Sequence, residues 1–179
     1  MNQVCDIAQL GDDVLRLQAK TVDNINTPEI QSVISDMFST LAESEGVGIA
    51  APQIAASWRI MIIASRPSKR YPLAPEMQAT LMINPHYEVL NERLEKDWEG
   101  CLSIPGIRAK VPRFTQIKVN YHNAKGVAEE QLFSGFVARV FQHEYDHLEG
   151  LVYLDRVESN LDIIAESEFT KLMDQCATE

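Results

Sequence analysis

Ser134-Gly135-Phe136-Val137-Ala138-Arg139-Val140-Phe141-Gln142-His143-Glu144-Tyr145-Asp146-His147-Leu148-Glu149-Gly150 is the stretch on which the reading of this chain turns. Its apolar spacing predicts a helix from about Ser134 to Leu148, closed by Gly150. His143 and His147 lie one turn apart on the same face, so both rings can reach one metal ion. Glu144 is rotated by about 100° from that face. It is placed to contact a water in the metal's open position rather than the metal, which is the place of a general base. The alternative is a surface helix with two unpaired histidines. Phe141, Leu148 and Leu151 make the surroundings apolar, which suits a buried site instead.

Outward from this helix the elements are less sharply marked. Thr27-Pro28-Glu29 is a helix start: Thr27 as N-cap, Pro28 in the first turn, Glu29 at the positive end of the dipole. Ile30, Val33, Ile34, Met37 and Leu41 then recur at helical spacing, and the helix should stop before Gly46. Trp58–Ala64 reads as a buried strand. Residues 65–78, with three prolines, read as an exposed loop. Leu81–Leu90 is strand-like, with Pro85 breaking it or placing it at an edge. Gln116–His122 and Val127–Phe133 form a hairpin across Asn123-Ala124-Lys125-Gly126. A last amphipathic helix is expected over about 159–175. The order predicts an α+β fold: antiparallel strands packed around a central metal-binding helix, with N-terminal and C-terminal helices, as one domain over 1–179.

Two histidines do not complete a catalytic site, which usually has three protein ligands and one open position. The extended protease pattern with a third histidine fails, because Tyr153 stands where that histidine should be. Glu166 and Glu168 are near the spacing of a downstream glutamate ligand, but no asparagine-glutamate pair marks them. Cys101 remains, in Trp98-Glu99-Gly100-Cys101-Leu102-Ser103-Ile104-Pro105-Gly106. A lone cysteine is normally a small buried hydrophobe. Here Gly100 lets the backbone turn close to a metal, and the Leu102 N–H is placed to point at a bound carbonyl. A third segment, Gly46-Val47-Gly48-Ile49-Ala50-Ala51-Pro52-Gln53, permits close backbone approach to a ligand, and Gln53 offers a neutral donor for a carbonyl oxygen. This loop lacks the basic residue and helix context of a phosphate loop.

Composition narrows the function classes. The chain has 179 residues, 45% apolar and 23% charged, which is ordinary for a globular protein and excludes a largely disordered one. A net charge of −10 disfavours a general nucleic-acid binder. No apolar run approaches the roughly 20 residues needed to span a bilayer. Three scattered cysteines do not make a disulfide framework, and the N-terminal residues lack the basic flank and apolar core of a signal peptide. The expectation is a reduced, cytoplasmic protein.

Taken together, the three segments resemble the peptide deformylase family, which carries Gly-x-Gly-x-Ala-Ala-x-Gln, Glu-Gly-Cys-Leu-Ser and Gln-His-Glu-x-x-Asp-His in this order. The likeness runs from about residue 6 to about 157. It implies that Cys101, His143 and His147 hold one divalent metal: Fe²⁺ in the cell, with Zn²⁺, Ni²⁺ or Co²⁺ as replacements. The ligand types alone would point to Zn²⁺. It implies that Glu144 is the general base, and that Gln53 and the Leu102 N–H hold the oxyanion. The substrate it implies is the N-formylmethionyl end of peptides and nascent chains, with formate released. Val47, Ile49, Phe136 and Val140 are the candidates for the methionine pocket. Gly46 and Gly48 would pair with an extended peptide. Arg108 matches an arginine near the family's substrate entrance.

Two positions depart from better-known members. Arg139 replaces an apolar residue one turn before His143 and so starts toward the same mouth. It either snorkels to solvent or narrows the mouth and favours acidic or backbone-carbonyl contacts. Residues 161–179 carry Asp162, Glu166, Glu168, Asp174 and Glu179 against one Lys171. Better-known bacterial members end in a basic helix that docks on the ribosome; this tail repels ribosomal RNA, which argues against that route. Two rival readings stand beside the resemblance. A zinc endopeptidase would use Glu166 in place of Cys101. A non-catalytic metal protein would close its site with His86, His122 or Cys176.

Overall fold

Thr27 accepts a hydrogen bond from the Ile30 N–H and opens helix α1, Pro28–Glu43, in the computed structural model, which describes residues 3–67 and 74–176. Of the expected 65–78 loop, residues 68–73 lie outside the described residues. Six strands follow the order β1 Gly48–Ala50, β2 Ile60–Ser65, β3 Met77–Cys101, β4 Ile104–His122, β5 Ala128–Ser134 and β6 Ile163–Ala165. The remaining helices are α2, Gly135–Leu148, and α3, Glu166–Cys176. The sheet is antiparallel in the order β1-β2-β3-β4-β5, with β6 added to β4. No helix among the described residues is long and apolar enough to cross a membrane.

Strand β2 is buried on both faces. Met61 and Ile63 pack on one side with Phe133, Ala138, Phe141 and Leu148, so this face receives α2. Ile60 and Ile62 point the other way, to Ile30, Ile34, Met37 and Leu41 of α1. An alternating strand between two helices therefore reads as one continuous apolar run. α2 is also tied down by polar bonds: the Gln142 amide accepts from the Phe114 N–H at 3.0 Å and donates to its carbonyl at 2.9 Å.

Several elements differ from the sequence expectations. Pro85 does not end its strand. The β3–β4 register shifts between Ile83 and His86, and the pairing of β2 ends at Ile83, so the missing N–H falls at an irregularity. β3 and β4 then continue as a long hairpin that brings Glu95 opposite Arg113 and Glu99 opposite Ala109. Its charged residues hide the strand from hydropathy patterning. The C-terminal helix begins at Glu166 rather than near 159. Residues 160–162 form one tight turn, and Ile163–Ala165 pair with Ile107–Ala109 of β4.

Phe141 is fully buried at the centre of the α2 face. Phe141→Ala is expected to cost about 3–5 kcal/mol of stability, read as a lower urea midpoint.

Candidate metal centre and catalytic cleft

The antiparallel hairpin and α2 bring three segments distant in sequence to one point. Cys101 ends β3, and His143 and His147 face it from α2. One ligand atom from each lies within 4.8 Å of the others, the one such cluster found among the described residues. The Cys101 Sγ is 3.3 Å from His147 Nε2. His143 Nδ1 is 2.9 Å from Glu99 Oε2. A carboxylate only accepts, so Nδ1 carries the proton and Nε2 keeps its lone pair for a ligand. Burial pushes the Cys101 thiol up, but the His147 charge and hydrogen bonds from both histidines outweigh it and hold the thiol well below its usual range. Burial disfavours the charged form of His143, but the bonds to Cys101 and Glu99 outweigh it and raise its pKa, so a metal binding at Nε2 would displace a proton there. A thiolate with two imidazoles is a donor set for a borderline-soft divalent cation. The residues present therefore fit a bound metal.

Glu144 is buried beside this cluster, and its Oε2 has no hydrogen-bond partner. Burial raises its carboxyl to about 7, against the opposing pull of His143 and His147. A group poised there suits proton transfer near neutral pH. The β1 backbone passes directly over it: a Cβ on Gly48 would lie 2.5 Å from Glu144 Oε1, so only glycine fits. On the other side, Gln53 Oε1 accepts the Ala50 N–H at 2.8 Å, which orients the amide. Its Nε2 is left pointing at Cys101 Sγ, 3.5 Å, and Ser103 Oγ, 3.2 Å.

These groups share one cleft. Gly46, Val47, Gly48, Gln53, Leu102, Phe136, Arg139, Val140 and Glu144 all line it, as do Cys101 and His143. His147 sits fully buried below. Three placements correct the sequence reading. The Ile49 side chain is fully buried in the α1-side core, because strand alternation turns it away from the cleft. Arg108 does not reach the entrance. It is fully buried, with Nε and Nη2 on the Glu166 carboxylate at 2.7 and 2.9 Å, and its guanidinium 5.0 Å from the Phe169 ring. It also occupies the space a Gly100 Cβ would need, 2.6 Å from Nη1, which is what Gly100 is for. Arg139 is not at the mouth either: it is 8% exposed and bonded to the protein's own acceptors.

Patterning alone misses the support beneath the ligands. Glu99 accepts Arg113 through Nε and Nη2, both at 2.9 Å, and Arg139 Nη1 at 2.9 Å, besides its contact with His143. Arg113 Nη1 donates to Asp146 Oδ2 at 2.6 Å, and Arg156 Nη2 to Asp146 Oδ1 at 2.7 Å. One signal was available: Glu99 stands two residues before Cys101, so in a strand both share a face.

The chain is similar to known proteins along nearly its whole length. The family model for polypeptide deformylase matches residues 4–162. Peptide deformylase 2 of Nostoc sp. is 49% identical over 171 residues, 96% of each chain. Peptide deformylase 1 of Nitrosomonas europaea is 43% identical over 151 residues, 84% of this chain and 86% of that one. The Met-Ala-Ser-bound class I type b peptide deformylase of Acinetobacter baumannii superposes with a TM-score of 0.84 at 42% identity, over 88% of this chain and all of that one. Fold and site define a metal-dependent hydrolase, and the chain belongs to the polypeptide deformylase family.

Burial pushes the Glu99 carboxyl up, but the Arg113 charge and the bonds from His143 and Arg113 outweigh it, so its pKa falls well below the usual carboxylate range. Its stabilising contribution is thus present above an unfolded value of about 4.5 and is lost as pH falls below it. Glu99→Gln is expected to lose about 3 kcal/mol at neutral pH and to show a shallower fall in stability on acidification, measured by urea unfolding at several pH values. A slope equal to that of the parent would place the acid sensitivity in other carboxylates.

Proposed function

We propose that the chain removes the N-formyl group from the N-terminal formylmethionine of newly made polypeptides, releasing formate, with residues 1–179 acting as one catalytic domain. The observation that carries this is the single cleft lined by Cys101, His143, Glu144 and Gln53. Cys101, His143 and His147 would hold a divalent metal, which when bound would supply Lewis-acid polarisation and lower the pKa of a water in its open position. Glu144, buried with an unpartnered oxygen, takes the proton of the attacking water and returns it to the leaving amine. Gln53 Nε2 and the Leu102 N–H donate to the oxygen that gains charge at the formyl carbon. Gly46 and Gly48 pair with the extended peptide, and Val47, Phe136 and Val140 receive the methionine side chain.

The geometry weighs against both rivals. Glu166 is committed to Arg108, so an endopeptidase set with Glu166 as third ligand is not formed. Neither His86 nor His122 joins the Cys101 cluster. The Cys176 side chain lies outside the described residues. Fe²⁺ is the metal we expect in the cell, with Zn²⁺, Ni²⁺ or Co²⁺ able to substitute, and the cytoplasm is the compartment we expect. Ribosome docking through α3 is disfavoured by Glu166 and Glu168 in its first turn.

Formate release from formyl-Met-Ala-Ser tests the reading, and turnover confined to peptides with an internal scissile bond would contradict it. Glu144→Gln and Glu144→Ala are expected to keep the metal and lose about 10²- to 10⁴-fold in kcat. Near-parent activity in a metal-loaded Glu144→Ala would remove Glu144 from the reaction. The iron-loaded protein is expected to lose activity in air faster than the nickel-loaded one, because a ferrous ion beside the Cys101 thiolate promotes its oxidation. Equal decay would argue against iron or against Cys101 as the weak point.

A further inference from the structure

Arg139 and Phe136 belong to two cavities at once. They stand in the wall of the catalytic cleft, and they also line a second cavity bounded by Glu95, Asp97, Arg113 and Phe114. The two residues are three apart on α2, hence neighbours on its surface, and they are the residues common to both cavities. Arg139 cannot swing aside cheaply, because its guanidinium is bracketed across the β3–β4 hairpin. Nη1 donates to Glu99 Oε1 at 2.9 Å and the Val111 carbonyl at 2.7 Å, and Nη2 to the Glu95 carbonyl at 2.6 Å. Arg139 lies one turn below His143, roughly 6 Å along the helix axis, about the reach of an extended four-atom side chain from the reacting end.

We propose that Arg139 is the floor of the pocket that takes the first side chain of the substrate, and that its bracketed guanidinium, with Phe136, sets the depth of that pocket. Without it the cleft would open into the second cavity and admit longer apolar chains. Arg139 is then a specificity-determining residue through its volume, not through attraction of acidic peptides. This rests on the deformylase reading.

The test compares kcat/KM for formyl-Met-Ala-Ser with that for formyl-(2-aminooctanoyl)-Ala-Ser, whose first side chain has six carbons. The parent protein is expected to favour methionine by about tenfold or more. Arg139→Ala should bring the ratio close to one, mainly through a lower KM for the long substrate. Arg139→Lys, which keeps a long stem and a donor for the same acceptors, should retain the parent ratio. A purely structural loss would lower both substrates alike and leave the ratio unchanged. If Arg139→Ala does not fold, Arg139→Val, which also removes most of the side-chain length, is read instead, with a ratio reduced several-fold. An unchanged ratio in the folded variant overturns the inference and leaves the deformylase reading intact. Absence of formate from formyl-Met-Ala-Ser with the parent protein overturns that reading and the inference with it.

Discussion

The buried carboxylate of Glu99 is the interaction on which the rest of the site depends. It meets the Arg113 fork, the Arg139 guanidinium and the His143 imidazole, at 2.9 Å each. Isolated in an apolar interior it would be costly, but here every oxygen is bonded to a cationic or imidazole donor. Such a cluster is weak evidence for stability, yet removing one member leaves buried charge unpaired. What it secures is geometry. Glu99 fixes the proton of His143 on Nδ1 and so presents the other nitrogen to a metal, while the same carboxylate joins the end of β3, the middle of β4 and α2.

Arg113 extends the arrangement to Asp146, one residue before His147, so both histidines are steadied from the same strand. Gln142 adds a third tie through the Phe114 backbone. The helix is thereby held in register against the hairpin that delivers Cys101. Arg108 does comparable work from the far side. Packed flat on Gly100 and paired with Glu166, it links the Cys101 strand to α3. Preorganisation of this kind lets the donors keep their positions as charge develops in the reaction.

Much of this was legible in the residues. The helix of His143 and His147, the Cys101 segment and the Gly46–Gln53 loop announced themselves through spacing and small residues, and the likeness of the three to one family followed. What stayed hidden depended on register. Asn91–Trp98 looks like a polar loop by hydropathy, because its charged residues find partners only when β4 lies alongside. Arg139 reads toward the mouth of the cleft, and Glu99 and Arg113 carry no local sign that they meet it, for the same reason. Ile49 was misplaced because a three-residue strand is too short for alternation to show. Arg108 and Glu166, distant in sequence, carry no local sign that they pair. The acidic start of α3 reads only as a charge that repels RNA or as a spare glutamate ligand, although its Glu166 holds a buried arginine.

The claim that Cys101, His143 and His147 together form the metal centre is tested most directly by X-ray absorption on the cobalt- or nickel-loaded protein. The account predicts one sulfur and two imidazole nitrogens from the protein, with the sulfur lost in Cys101→Ser. A shell without sulfur, or one closed by a fourth protein nitrogen or a carboxylate from Glu166, would contradict it.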